Sequence, residues 1–155
     1  MRQVAVCGPA ECTEAESAVA YDVGVLLARG GAVVLCGGGG GVMAAVAAGV
    51  RSADGLVIGI RPDGDRATAA PDLSAIVLTN MGQARNAILV ASADAVITIG
   101  GSWGTLSEVA LARRRGVPVI ALHGWLVLDQ DGRPVPGIEV ADTAAAAVKL
   151  AVRPA

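Results

Sequence analysis

The residues whose types and spacing could do chemistry lie in residues 95–112, Ala-Val-Ile-Thr-Ile-Gly-Gly-Ser-Trp-Gly-Thr-Leu-Ser-Glu-Val-Ala-Leu-Ala. Val96, Ile97, Thr98 and Ile99 form an uncharged β-branched run suited to an interior parallel strand. Gly100, Gly101 and Gly104 then allow a sharp turn and a close backbone approach to a ligand. The helix expected next offers unpaired N–H groups and the positive end of its dipole, an anion site suited to phosphate.

Glu108, placed in the first turn of that helix, has two readings. Thr105-Leu106-Ser107-Glu108 has the spacing of a capping box, in which the glutamate reaches back to the cap's N–H. Alternatively, Glu108 faces the ligand and works on its sugar or base. Thr13-Glu14-Ala15-Glu16 repeats the spacing at another helix start, so the pattern alone does not decide. Arg85 falls in the first turn of a helix expected from about 83 to 92, where a cation is electrostatically misplaced. The misfit points to an anionic partner, either Glu108 or a ligand phosphate; a solvent-facing arginine is the plain alternative.

The elements that position these residues follow from the apolar periodicity. Strands are expected at 3–7, 32–36, 56–60, 75–78, 95–99 and 119–122, with helices at 13–29, 42–51, 83–92, after the 100–104 turn, and from 142 to about 152. The alternation with short connections is that of an α/β fold, a Rossmann-like three-layer sandwich with a mostly parallel central sheet in a single domain. Residues 61–72, with two prolines, three aspartates and two arginines, read as a loop: a solvated crossing or a lid. Residues 125–140 read as a small hairpin or irregular arm. Arg113, Arg114 and Arg115 before Gly116 complement the end of a helix dipole.

There is also an internal echo. Val33-Val34-Leu35-Cys36 before Gly37 to Gly41 resembles the strand and turn at 96–104, so a ligand would be held from two sides. Neither turn is a Walker A loop, because no Gly-Lys-Ser/Thr follows.

Composition sets the limits. The chain has 155 residues, 54% of them hydrophobic, and a formal net charge of −2. With no Phe, one Tyr and two Trp, it lacks the stacking platforms of a single-strand binder, and its charge disfavours nucleic acid or an anionic membrane. No stretch reaches the roughly 18 apolar residues of a membrane span, and no signal-peptide pattern stands at the start. The odd cysteine count, Cys7, Cys12 and Cys36, fits reduced thiols in a cytoplasmic protein. His123 is the one histidine, so no metal site is expected.

Taken together, the motifs resemble those of the Lonely Guy and molybdenum-cofactor carrier superfamily, formerly labelled lysine decarboxylase-like. Gly37-Gly38-Gly39-Gly40-Gly41-Val42-Met43 is similar to its GGGxxGxM element, Gly100-Gly101-Ser102-Trp103-Gly104-Thr105-Leu106-Ser107-Glu108 to its GGxxGTxxE element, and Met81 to Arg85 to the segment between them. In the Lonely Guy branch, phosphoribohydrolases cleave the base–ribose bond of a nucleoside 5′-monophosphate. The resemblance would make Arg85 and Glu108 their catalytic pair. The carrier branch holds a phosphorylated pterin. Here Met81-Gly82-Gln83-Ala84-Arg85-Asn86 replaces Met-His-x-Arg-Lys and Ile99 replaces the proline of Pro-Gly-Gly, and the Arg-Asn pair and short chain are more similar to the carrier branch.

The turns and the resemblance together give a ligand-contacting set. It comprises Gly8, Gly38, Gly39 and Gly41 from the first half, Met81 and Arg85 between the halves, and Gly100, Gly101, Ser102, Gly104 and Thr105 from the second. The resemblance implies no required cofactor. It implies a small phosphorylated partner, the molybdenum cofactor or a nucleoside monophosphate, and a homo-oligomer, dimer or tetramer.

Overall fold

The computed structural model describes residues 1–154. The chain runs β1 (Gln3–Cys7), α1 (Glu14–Arg29), β2 (Val33–Cys36), α2 (Val42–Ser52), β3 (Leu56–Arg61) and β4 (Ala75–Leu78). It continues through a 3-10 turn (Gly82–Ala84), α3 (Arg85–Ala91), β5 (Ala95–Ile99), α4 (Trp103–Arg114), β6 (Val119–Leu122), β7 (Ile138–Ala141) and α5 (Ala144–Val152). The strands form one sheet of order β4-β3-β2-β1-β5-β6-β7, and every pairing is parallel. Parallel strands need long crossover connections, and the helices among them cover both faces. Val4, Val6, Val34 and Ile97 pack against α1, α2 and α5, whereas Ala5, Leu35 and Val96 pack against α3 and α4. The fold is thus the Rossmann-like three-layer α/β sandwich expected.

Local chemistry sets the element ends. Thr13 caps α1 in a full capping box: its hydroxyl accepts from the Glu16 amide at 3.1 Å, and Glu16 accepts from the Thr13 amide at 3.0 Å. Thr143 caps α5 by accepting from the Ala146 amide. Gly116, with φ +73°, follows the arginine-rich end of α4.

Three expectations need correction. Residues 125–140 are not only an arm: after one antiparallel bridge between Leu128 and Pro134, the chain adds β7 to the sheet edge. Its Ile-Glu-Val-Ala sequence is polar enough, and exposed enough as an edge, to hide the strand signal. The helix expected at 83–92 starts with a 3-10 turn, and its regular part begins at Arg85. Finally, Arg61 belongs to β3, not to the loop. It is buried, donates to the Gly38 carbonyl at 3.1 Å, and pairs with Asp63 and the Thr68 hydroxyl. The following segment is thereby strapped onto the first glycine turn, where the Ala70 amide also reaches Gly38.

Helices α1 and α2 approach so closely that a Cβ on Gly49 would collide with the Tyr21 carbonyl, and one on Gly24 with the Val46 carbonyl. Helix propensity alone would make Gly49→Ala stabilising by about 1 kcal/mol. The collision should reverse the sign, to a net loss of about 2 kcal/mol in urea unfolding. A gain in stability would show that the helices are not held at this distance.

Candidate functional site

A cleft of about 290 Å3 opens beyond the carboxyl ends of β1 and β5, between the first turns of α3 and α4. Cys7, Gly8, Pro9 and Ala10 come from the end of β1, and Gly37 and Met43 from the turn around α2. Pro62, Gly82, Gln83, Arg85 and Asn86 close it on one side, and Ser102, Gly104, Thr105 and Glu108 on the other.

The start of α4 is held by its N-cap and leaves backbone donors unused. Ser102 is the N-cap, in extended conformation (φ −155°, ψ 169°), and its hydroxyl accepts from the Thr105 amide at 3.1 Å. The Leu106 amide bonds the Ser102 carbonyl at 2.9 Å. The amides of Trp103 and Gly104, the first two of the helix, are left for an external acceptor. Trp103 itself points outward, 78% exposed, with its ring edge-on to Trp125 at 5.1 Å.

This geometry removes the capping-box reading of Glu108. The cap is Ser102, so Thr105 to Glu108 is not a capping box, and Glu108 lies in the second turn of α4 rather than the first. Its side chain is buried, 7% exposed, and lines the cleft beside the Cys7 thiol. Burial raises its pKa to about 7, against the smaller opposing pulls of the Cys7 hydrogen bond and the Arg85 charge. The Cys7 thiol is pushed well above its ordinary range, first by burial and then by Glu108. It is held as the neutral thiol rather than as a nucleophilic thiolate.

Arg85 makes no ion pair with Glu108 among the described residues. One guanidinium nitrogen donates to two backbone carbonyls, Gly37 at 2.9 Å and Ile60 at 2.7 Å. Those carbonyl dipoles offset the unfavourable position of a cation at a helix start, and they pin the side chain at the cleft wall. Its buried Nε has no partner.

Of the sequence-predicted residues, the cleft gathers Gly8, Arg85, Ser102, Gly104, Thr105 and Glu108. It does not gather the others. Gly38 and Gly39 lie against Arg61 and Met43. Gly41, with φ +60°, presses on the carbonyls of Pro9 and Ala10. Gly100 is covered by the Glu16 carboxylate and Gly101 by the Trp125 ring. Gly41 and Gly101 meet instead in an adjoining groove with Glu11, Cys12 and Glu16. Met81 is half exposed outside the cleft. Sequence reasoning missed Cys7 and Asn86 as cleft residues. Cys7 ends the central strand, and Asn86 is an amide buried inside a helix, so each carried a usable signal.

Comparison with known proteins places this geometry. Residues 1–148 match the profile of the SLOG cluster4 family. An uncharacterized protein of Archaeoglobus fulgidus is 39% identical over 130 residues, 83% of this chain and 85% of that one. The structure of the molybdenum cofactor binding protein from the phototrophic bacterium Rippkaea orientalis superposes with a TM-score of 0.86 at 33% identity, covering 96% of this chain and 94% of that one. The molybdenum cofactor carrier protein from Chlamydomonas reinhardtii gives 0.83 at 26% identity, with the same coverage.

A carboxyl whose native pKa is raised favours the fold while protonated. That contribution is complete below the ordinary value of 4.5 and is lost as pH rises through about 7. Glu108→Gln should remove this loss. Between pH 5 and 8 the stability of the wild type should fall relative to the variant by roughly 3 kcal/mol, the variant being the more stable at pH 8. Parallel pH profiles would contradict the buried, near-neutral Glu108.

Proposed function

This chain belongs to the SLOG cluster4 family, and from that premise we propose that it binds a phosphorylated pterin- or nucleotide-type ligand as cargo, in the manner of a molybdenum-cofactor carrier. The observation that carries the reading is the start of α4, whose Ser102, Gly104 and Thr105 line the cleft and whose first two amides have no acceptor among the described residues. A phosphate there meets N–H donors and the helix dipole at once. Arg85, held at the opposite wall, adds positive potential. Gly8 and Gly37 line the cleft without side chains, so the ligand can come close to the backbone. Glu108, neutral over much of the range below pH 7, does not repel the anion. The likeness to the molybdenum cofactor binding protein of Rippkaea orientalis and the molybdenum cofactor carrier protein of Chlamydomonas reinhardtii supports a pterin cargo in particular.

One observation favours a second reading. Because Glu108 is released from any capping duty and buried in the cleft with a pKa of about 7, it has the protonation range of a general acid or base. In a phosphoribohydrolase it would assist departure of the base or activate water at the sugar carbon, as carboxyl groups do in glycoside cleavage. Arg85 would orient the phosphate-bearing sugar.

The experiment that separates the readings is incubation with AMP, following free adenine by chromatography and the melting temperature in parallel. The carrier reading expects no adenine and a ligand-dependent rise in melting temperature, worth about 2.7 kcal/mol at a concentration a hundred times Kd. Adenine released by the wild type but not by Glu108→Gln would establish the hydrolase. No shift with AMP or with inorganic phosphate would overturn the anion site itself.

A further inference from the structure

Asn86 is 6% exposed, sits in the second position of α3, and lines the cleft. Its amide nitrogen donates to the Ser107 hydroxyl at 3.0 Å. That hydroxyl spends its own proton on the Gly104 carbonyl at 2.8 Å, so it can only accept from Asn86. The amide orientation is therefore determined by its neighbours, and its carbonyl oxygen is left buried with no hydrogen-bond partner. A buried acceptor of this kind costs stability unless something satisfies it. The adjacent Arg85 Nε is likewise buried without an acceptor. Two consecutive residues thus leave one acceptor and one donor unused in the wall of one cleft.

Resting on the phosphate-ligand reading above, we propose that Asn86 reads the part of the ligand beyond its phosphate, its carbonyl oxygen accepting an N–H or O–H from the bound molecule. The ligand class is a phosphate ester that carries a donor on its far side, such as the lactam N–H of a fused heterocycle or a sugar hydroxyl. A group that accepts as well as donates, as a lactam or a hydroxyl does, would use Arg85 Nε too. Inorganic phosphate, seated at the start of α4, would not touch Asn86. Asn86 is a specificity residue under this assignment, and Ser107 is the residue that positions it.

The test compares wild type with Asn86→Leu, similar in size but without the acceptor, in calorimetric titrations with GMP, ribose 5-phosphate and inorganic phosphate. Asn86→Ser takes its place if the leucine variant does not fold. The assignment expects affinity for GMP to fall about tenfold, the worth of one hydrogen bond, while affinity for inorganic phosphate stays unchanged. A loss confined to GMP identifies the heterocycle as the donor; an equal loss with ribose 5-phosphate identifies the sugar. Equal changes for all three probes, or no change for any, would overturn the role of Asn86 while leaving the phosphate site standing. Failure of the wild type to bind any of the three would overturn the functional reading, and this assignment with it.

Discussion

The site depends on the reversal of strand order at β1. From that central strand the chain moves outward through β2, β3 and β4, then returns to lay β5 against the other side of β1. The connections after β1 and β5 therefore leave the sheet in opposite directions, and a crevice opens between them at the carboxyl edge. Cys7 and Gly8 sit on one bank of it, and Ser102, Gly104 and Thr105 on the other. No separate device is needed to bring α4 to the cleft. A parallel sheet covered by crossover helices already points helix starts at that edge.

That topology explains the electrostatic character of the site. It concentrates helix starts, hence unpaired N–H groups, in a region where burial makes charge costly. The chain answers with few full charges. Glu108 is buried beside a thiol rather than a cation, and its pKa rises to about 7 instead of falling. Arg85 is held by the carbonyls of Gly37 and Ile60, the ends of the strands next to the cleft, rather than by a carboxylate. The two side chains that sequence would pair face each other across the cleft without an ion pair between them.

The fold was largely legible in the sequence because its signals are local. Uncharged β-branched runs such as 96–99, glycines directly after β1, β2 and β5, and Thr13 before an amphipathic helix each announce one element without help from the rest. What was not legible depends on distant contacts. β7 is marked only by its pairing with β6, since Ile-Glu-Val-Ala on an edge has little alternation to read. Glu108 had capping spacing, yet Ser102 captured the cap, and only the packing of α4 against β1 shows the carboxyl beside Cys7. Gly38 and Gly39 looked like phosphate contacts because a run of glycines permits close approach. The approaching group is Arg61, arriving from β3, the next strand along. The glycine turns thus divide their work: the one before α4 opens onto the cleft, and the one before α2 is spent mainly on the strap from β3.

The central claim is that the start of α4, and not the start of α2, is where a phosphate ester lands. The most direct measurement is a titration of isotope-labelled protein with AMP, following backbone amide resonances. The account predicts the largest shifts at the amides of Trp103 and Gly104, with smaller ones at Gly8 and Arg85. Dominant shifts at Val42 and Met43, with Trp103 and Gly104 unmoved, would contradict it.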